Sequence, residues 1–306
     1  MKKIPIVLDV DTGTDDAIAI ICSLLCDKLD VRAFTTVAGN VSVDYTSKNT
    51  LDLIDFLGSD IKVAVGADKP LCRPLHIAKS HGSSGLGDVV LPEATRGFYN
   101  KNAVDTIYEE ALSAEGELHL VALGPLTNVA SALMKYPDLK DKIKHITIMG
   151  GALAGGNMTM TAEFNTYVDP EAAKIVFESG IPLTMVGLDV TLKTVIPLNV
   201  FELIKSFENK YAQMATRIFD FILRRSSQYG FDVAHIHDAL ALASVVEPNL
   251  IETKKYYMTV ETKGEFTTGM TVADFNRVAE REPNVDAAAS VDLRGFWDWV
   301  IRTLND

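Results

Sequence analysis

Short apolar runs rich in β-branched residues alternate along this chain with segments of helical periodicity. The first run, IPIVLDV at residues 4–10, is followed at 15–25 by DDAIAIICSLL, whose apolar residues recur with helical spacing. Continuous apolar runs of this length are typical of strands buried on both faces of a parallel sheet. The alternation therefore predicts an α/β fold, with an open, mostly parallel sheet flanked by helices on both faces.

The same order of elements continues to about residue 190 and then changes. Predicted strands at 31–38, 61–67, 118–124, 143–151 and 181–190 alternate with predicted helices at 44–58, 102–114, 126–136 and 170–180. The remainder predicts mainly helix at 198–246, a small hairpin from 255–262 and 266–273, and a closing helix at 292–304. Since no Pro/Gly/Ser-rich linker interrupts the chain, we expect residues 1–306 to form a single domain.

The composition excludes several classes of partner. A net charge of −12 argues against nucleic acid and anionic membranes, because both require basic patches. No apolar stretch approaches the ~18 residues of a membrane span, and Asp9 interrupts the first apolar run before a signal peptide could form. The three cysteines, Cys22, Cys26 and Cys72, suit a reducing compartment. We therefore expect a cytoplasmic protein.

The segment VLDVDTGTDDAIAI (7–20) concentrates negative charge between two apolar segments. Asp9, Asp11, Asp15 and Asp16 lie within eight positions. Carboxyl groups this close raise one another's pKa, so we expect positive charge among them.

Polar residues also follow other predicted strands, namely Asn40, Thr127, the loop at 150–165 and Asp189. In open α/β sheets, ligands bind in the crevice outside the carboxyl ends of the strands. The sequence therefore predicts one binding site, built by five loops at one edge of the sheet.

Two enzyme families share features with the segment DVDTGTDD. The haloacid-dehalogenase-type phosphatases end a strand in D-x-D-x-[TV], in which the first Asp is the nucleophile and the second a general acid. Asp9 and Asp11 fit this pattern, but Gly13 stands where Thr or Val is expected. The phosphatase pattern also leaves Asp15 and Asp16 without a role.

Residues 9–17 resemble more closely the D-x-D-P-G-x-D-D-A signature of the inosine-uridine nucleoside hydrolases, with Thr12 in place of Pro. The blocks TTVAGNVSVD (35–44), VALGPLTNVA (121–130) and IMGGALAGGNMTMTAEFNTYVDPEAA (148–173) follow in the family's order. The segment ETKGEFTTGMTVAD (261–274) is similar to the branch that hydrolyses purine and pyrimidine ribonucleosides. The resemblance implies a Rossmann-like fold with additional C-terminal helices, cleavage of the N-glycosidic bond to free base and ribose, and a homo-oligomer (dimer or tetramer).

The resemblance also implies a calcium site, since Ca²⁺ takes six to eight oxygen ligands. By the family pattern the ligands are Asp11, Asp16, Asp238 and the backbone carbonyl of Thr127. A bound metal ion lowers the pKa of water, and the pattern makes Asp11 the general base beside that water.

The remaining implied residues contact the nucleoside. By the family pattern, the 2′- and 3′-hydroxyls are bound by Asp15, Asn40 and Asn165. The 5′-hydroxyl is bound by Asn157 and Glu163, and Met149 lies under the sugar face.

The family pattern assigns the departing base to His237, beside Asp238, and to His81, in a block where Ser83 replaces the usual Glu. His235 is an alternative pocket residue. The loops around 76–90 and 224–235 would set the base pocket, so the preferred base remains open.

A nucleoside-binding protein on the same scaffold, with metal but little turnover, is the alternative of another class. Asp11 discriminates between the two, because a binding protein needs no base beside the metal.

Overall fold

The computed structural model describes residues 2–78, 80–228 and 234–305. The strands in these ranges are β1 (Ile4–Val10), β2 (Leu29–Thr36), β3 (Lys62–Val65), β4 (Leu118–Ala122), β5 (Ile143–Met149), β6 (Leu183–Val186), β7 (Ile251–Tyr256), β8 (Met258–Val260), β9 (Thr271–Ala273) and β10 (Val285–Val291). The α-helices are α1 (Thr14–Leu25), α2 (Val43–Phe56), α3 (Ala103–Ser113), α4 (Thr127–Lys135), α5 (Phe164–Val168), α6 (Pro170–Phe177), α7 (Leu188–Thr191), α8 (Leu198–Lys205), α9 (Lys210–Gln228), α10 (Asp238–Val246) and α11 (Leu293–Asn305).

The central sheet has eight strands in the order β3-β2-β1-β4-β5-β6-β10-β7. Neighbouring strands pair in parallel except for β7, which pairs antiparallel with β10 at one edge. The strand order reverses direction between β1 and β4, and ligands bind at such a switch point in open α/β sheets. The predicted α/β architecture with a mostly parallel sheet is confirmed.

Two hydrophobic layers cover the two faces of this sheet. In β1, Ile6, Leu8 and Val10 belong to the layer that contains α1 and the C-terminal helices, whereas Val7 packs into the layer with α3, α4 and α6. This alternation explains why β1 is apolar at nearly every position. Within the described residues, none of the helices combines the length and apolar character that crossing a membrane requires.

The C-terminal part differs from the prediction. The hairpin exists but is shorter, consisting of β8 and β9, and residues 251–256 form β7 in the central sheet instead. The sequence VDAAASV of β10 does not predict a strand, because alanine has low β propensity. Its place in the sheet therefore comes from packing between β6 and β7.

The predicted strand at 181–190 is wrong in its second half. The strand β6 ends at Val186, and α7 begins at Leu188. A Cβ atom at Gly187 would lie 2.7 Å from the carbonyl oxygen of Gly151, so only glycine fits where the chain turns.

Candidate active site

Asp11 follows β1 and occupies a slot between the loops that follow β2 and β4. Its Oδ2 accepts a hydrogen bond from the backbone N–H of Asn40 at 2.7 Å. A Cβ atom at Gly39 would lie 2.1 Å from Asp11 Oδ2, and one at Gly124 would lie 2.8 Å from Oδ1. Because β2 and β4 are the two neighbours of β1, a glycine on each side makes room for the carboxylate at the switch point of the sheet.

Asp16 lies in the first turn of α1, where the helix dipole favours negative charge. Its carboxylate accepts hydrogen bonds from the backbone N–H groups of Asp11 at 3.2 Å and Gly13 at 3.0 Å. The side-chain amide of Asn40 donates to Asp16 Oδ2 and to the carbonyl oxygen of Asp11, both at 3.2 Å. These bonds close the aspartate loop (residues 11–16) on itself and on the loop after β2.

Asp15 joins the start of α1 to the start of α10. Its Oδ2 accepts a hydrogen bond from the backbone N–H of His237 at 2.8 Å. His237 immediately precedes α10, whose first residue is the buried Asp238. Residues more than 200 positions apart therefore meet at one edge of the sheet.

The clustered carboxyl groups raise one another's pKa. Burial first, and repulsion by Asp16 second, raise the pKa of Asp11 well above its ordinary value. Burial raises the pKa of Asp15 to about 7 and of Asp16 to about 6. Burial and the charges of Asp15, Asp16 and Asp11 likewise raise the pKa of Asp238. No lysine, arginine or histidine forms an ion pair with these four aspartates in the described part of the chain.

Oδ1 of Asp11 and Oδ1 of Asp15 are buried without a hydrogen-bond partner, and so is Oδ2 of Asp9 in β1. A buried anionic oxygen without a partner is costly, and a cation would remove that cost. Within the described ranges, no three His, Cys, Asp or Glu side chains are arranged to hold a metal ion by themselves. An ion here would therefore need further oxygen ligands, such as backbone carbonyls and water, which hard cations accept.

The loop after β5 carries Glu163 and Asn165. Glu163 caps α5, since its carboxylate accepts from the backbone N–H groups of Asn165 at 2.9 Å and Thr166 at 3.2 Å. It also accepts from the backbone N–H of Gly151 at 3.0 Å. Burial raises the pKa of Glu163 to about 7. The amide of Asn165 donates to the carbonyl oxygens of Leu123 at 2.8 Å and Met149 at 3.0 Å, so it ties the ends of β4 and β5 together.

Three other predicted residues lie around this core. Met149 is buried at the end of β5, with its sulfur 3.7 Å from the amide nitrogen of Asn165. Asn157 is exposed, and its Oδ1 accepts from the backbone N–H of Phe164 at 2.9 Å. Thr127 is the first residue of α4, the helix that follows β4, and its hydroxyl donates to Asp169 at 2.7 Å.

The two predicted histidines approach the aspartate loop from different sides. Nδ1 of His81 lies 2.8 Å from the hydroxyl of Thr14, whereas Nδ1 of His237 lies 2.8 Å from that of Thr191. Burial lowers the pKa of His81 to about 4. Burial and the nearby charges of His235 and His81 lower the pKa of His237 to about 3. Both imidazoles are therefore neutral at pH 7.

His235 stacks at an angle beside His237, with ring centroids 6.0 Å apart. Burial lowers its pKa as well. Of the two loops expected to set the base pocket, Lys79 and residues 229–233 lie outside the described residues.

Sequence reasoning missed Thr14 and Thr191, the partners of the two histidines. Thr14 lies at a variable position inside the aspartate motif, so only its place next to Asp15 could have drawn attention to it. Nothing local in the sequence signals Thr191, because its contact with His237 spans 46 positions.

Comparison with known proteins agrees with this architecture. Residues 6–298 match the family model of the inosine-uridine preferring nucleoside hydrolases. The pyrimidine-specific ribonucleoside hydrolase RihA of Escherichia coli (strain SMS-3-5) is 43% identical over 299 residues, which is 96% of either chain. Among solved structures, the purine-preferring ribonucleoside hydrolase from Gardnerella vaginalis superimposes with a TM-score of 0.93 at 32% identity, over 98% of both chains. An inosine-guanosine nucleoside hydrolase gives a TM-score of 0.90 at 30% identity, also over 98% of both chains.

The family match spans nearly the whole chain, so the phosphatase alternative for the aspartate segment is wrong. The chain belongs to the inosine-uridine preferring nucleoside hydrolases, and its activity is the hydrolysis of ribonucleosides.

Proposed function

We propose that ribonucleoside hydrolysis takes place at the aspartate cluster, with Asp11 as the general base and Ca²⁺ as the metal ion. The observation that carries this proposal is the pair of buried carboxylate oxygens without partners, on Asp11 and Asp15. Members of the family depend on a metal ion, and an all-oxygen environment suits a hard cation such as Ca²⁺.

The ion would be held by Asp11, Asp16, Asp238 and the backbone carbonyl of Thr127. When bound, it would lower the pKa of a coordinated water. Its charge would also reverse the pKa shifts that burial and mutual repulsion impose on the aspartates. Ionised under those conditions, Asp11 would accept a proton from the water that attacks the ribose. The slot between Gly39 and Gly124 keeps its carboxylate in place for that step.

The ribose would be bound by its hydroxyl groups. Asp15, Asn40 and Asn165 are proposed to bind the 2′- and 3′-hydroxyls. Cleavage of a glycosidic bond passes through an oxocarbenium-like transition state, in which hydrogen bonds to the 2-hydroxyl strengthen.

The proposed contacts to the 5′-hydroxyl come from Asn157 and Glu163, with Met149 against the sugar face. Glu163 and Asn165 are joined by a hydrogen bond from the Asn165 N–H. The two ends of the ribose would therefore be bound by one short, capped segment.

The departing base would be assisted by His237 and His81. Since both imidazoles are neutral at pH 7, each would act by donating a hydrogen bond from its protonated ring nitrogen. A neutral donor still stabilises the negative charge that develops on the base as the bond breaks.

We further propose that purine and pyrimidine ribonucleosides are both substrates, with pyrimidines preferred. The relative with 43% identity is named as pyrimidine-specific, and the structural neighbour with 32% identity is named as purine-preferring.

A panel of ribonucleosides tests this function. The purified protein should release reducing sugar from uridine, cytidine and inosine, and EGTA should abolish the release until Ca²⁺ is restored. Calcium should also raise the melting temperature, because the unfolded chain lacks the site.

Binding of uridine without sugar release would instead support the nucleoside-binding alternative. Unchanged activity in EGTA, with no divalent ion in the purified protein, would refute the metal-dependent mechanism.

A further inference from the structure

Asn49 of α2 connects the aspartate loop to the loop that carries His81 (residues 80–88, the His81 loop). Its side-chain nitrogen donates to the carbonyl oxygen of Thr12 at 3.1 Å and to that of Ser84 at 2.7 Å. The residue is buried, with 7% of its surface exposed. A carboxamide nitrogen has two hydrogens, so both are used in this bridge.

The backbone of the His81 loop is pressed against this bridge. A Cβ atom at Gly85 would lie 2.8 Å from Asn49 Nδ2 and 3.1 Å from the carbonyl oxygen of Thr12. Gly85 also has φ +96°, a conformation that L side chains rarely adopt. The loop therefore depends on glycine at this position to reach Asn49.

The imidazole of His81 is oriented by a second contact with the aspartate loop. The backbone N–H of Thr14 donates to His81 Nδ1 at 3.2 Å. An N–H group can only donate, so Nδ1 must be the unprotonated nitrogen of the neutral ring. The proton then resides on Nε2, the nitrogen that Thr14 leaves free.

We propose that Asn49 is a positioning residue that holds the His81 loop on the aspartate loop, so that Thr14 fixes the His81 tautomer with Nε2–H available to the departing base. This inference rests on the proposed function, because it assigns His81 to the base. Asn49 itself lies outside the reacting centre and acts through the backbone of two loops. The Asn49 bridge thereby fixes the position of the His81 loop relative to the aspartate loop.

Two classes of substrate separate this role from a merely structural one. Uridine needs its base stabilised as it departs, whereas the phenolate of a p-nitrophenyl riboside departs without help. Asn49→Ala should lower kcat for uridine about tenfold to a hundredfold, the size of effect expected when a catalytic group is misplaced by about 1 Å. Its kcat for the p-nitrophenyl riboside should change less than about threefold, since Asp11 and the ribose contacts remain.

A double-mutant cycle tests whether the effect passes through His81. If it does, Asn49→Ala should add little in a His81→Ala background, because coupled residues are not additive. Asn284→Ala is a matched control: its amide nitrogen also donates to two backbone carbonyls, Phe177 at 2.7 Å and Met258 at 3.0 Å, far from the site. It should lower the melting temperature without changing the ratio of the two substrates.

Each other outcome is distinct. Parallel losses on both substrates would overturn the inference, because Asn49 would then act through Thr12 and the metal-binding loop. Full activity of Asn49→Ala or of His81→Ala on uridine would overturn it as well. Absence of activity in the wild type on every nucleoside would instead refute the proposed function.

The tautomer can be tested without a variant at Asn49. In ¹⁵N-histidine-labelled protein, the His81 signals, assigned by their loss in His81→Ala, should show an unprotonated Nδ1 and a protonated Nε2. A proton on Nδ1 would overturn the inference even if Asn49→Ala does not fold.

Discussion

The two ends of the central sheet differ in whether their carboxylates have partners. At the amino ends of the strands, carboxylates have partners: Glu117 pairs with Lys144 at 2.7 Å, and Asp286 lies 3.9 Å from Lys255. At the carboxyl ends, Asp11 and Asp15 are buried with an unpartnered oxygen on each.

Histidines at both ends contact threonine hydroxyls, and the ends differ in the carboxyl groups that lie nearby. At the amino ends, His119 and His145 stack across β4 and β5 with ring centroids 5.9 Å apart, and His145 contacts the hydroxyl of Thr184 at 2.9 Å. At the carboxyl ends, His81 and His237 contact threonines beside the acidic cluster. The carboxylates named at the amino ends thus have cationic partners, whereas two at the carboxyl ends have an unpartnered oxygen, so the carboxyl end is where we expect ligands.

The largest effect should come from removing one substrate hydroxyl. If Asp15, Asn40 and Asn165 face the ribose, 2′-deoxyuridine leaves buried polar groups of the site without partners. A site built to bind a hydroxyl can reject the deoxy analogue by about 10⁴ in kcat/KM. Comparable values for uridine and 2′-deoxyuridine would show that these side chains at the carboxyl end do not bind the 2′-hydroxyl.

The second effect compares one aspartate from each end. Asp11→Asn keeps the shape of the side chain but removes the proposed base and one negative charge, so turnover should fall by about 10²–10⁴. Asp286→Asn, at the amino end, should leave turnover within about twofold, as expected for a partly exposed pair.

The same two variants should differ in stability when the metal is removed. In EGTA, Asp11→Asn should melt at a higher temperature than the wild type, because it relieves buried repulsion, whereas Asp286→Asn should not.

Turnover of Asp11→Asn within tenfold of wild type would rule out Asp11 as the base.

The third effect is a dependence of stability on pH with opposite signs for two glutamates. Burial raises the folded-state pKa of Glu163 from 4.5 to about 7. The contribution of Glu163 to the stability of the metal-free protein is therefore greatest below pH 4.5 and is lost as pH rises through about 7. Arg73 donates a hydrogen bond to Glu171 and lowers its pKa. The contribution of Glu171 to stability is therefore present above pH 4.5 and is lost as pH falls below that value.

Denaturant unfolding in EGTA at pH 5 and pH 8 measures the difference. The wild type should be less stable at pH 8, and Glu163→Gln should weaken that dependence. Glu171→Gln should cost stability at both pH values. If Glu163→Gln leaves the pH dependence of stability unchanged, the raised pKa of Glu163 is not a cause of that dependence.

The smallest effect concerns Thr12, which replaces the family's proline. The hydroxyl of Thr50 donates to the carbonyl of Thr46 at 2.8 Å, so in the 2.7 Å contact between Thr12 and Thr50 the Thr12 hydroxyl is the donor. Thr12→Val should cost about 1 kcal/mol of stability, the usual contribution of a hydrogen bond, with turnover nearly unchanged. A large loss of turnover would mean that this hydroxyl, and not the backbone of the loop, holds the aspartates in place.

The sequence alone determined the α/β class, most of the strands and helices as far as residue 190, and the aspartate cluster at a strand end. These features depend on periodicity and on residue types that lie close together in the chain, such as the apolar run of β1 and the motif that follows it. The family blocks also named the candidate residues, since they are local patterns.

The tertiary structure decided the features that depend on distant residues meeting. The strand β10 lies between β6 and β7 although its own sequence is weakly strand-forming. The glycines beside Asp11 come from loops after β2 and β4, and the bridge from Asn49 to Ser84 spans 35 positions. Packing between separate loops decides which carboxylate oxygens lack a hydrogen-bond partner and which nitrogen of His81 carries the proton. Local propensity contains no information on such contacts, because each is formed only when the whole sheet has assembled.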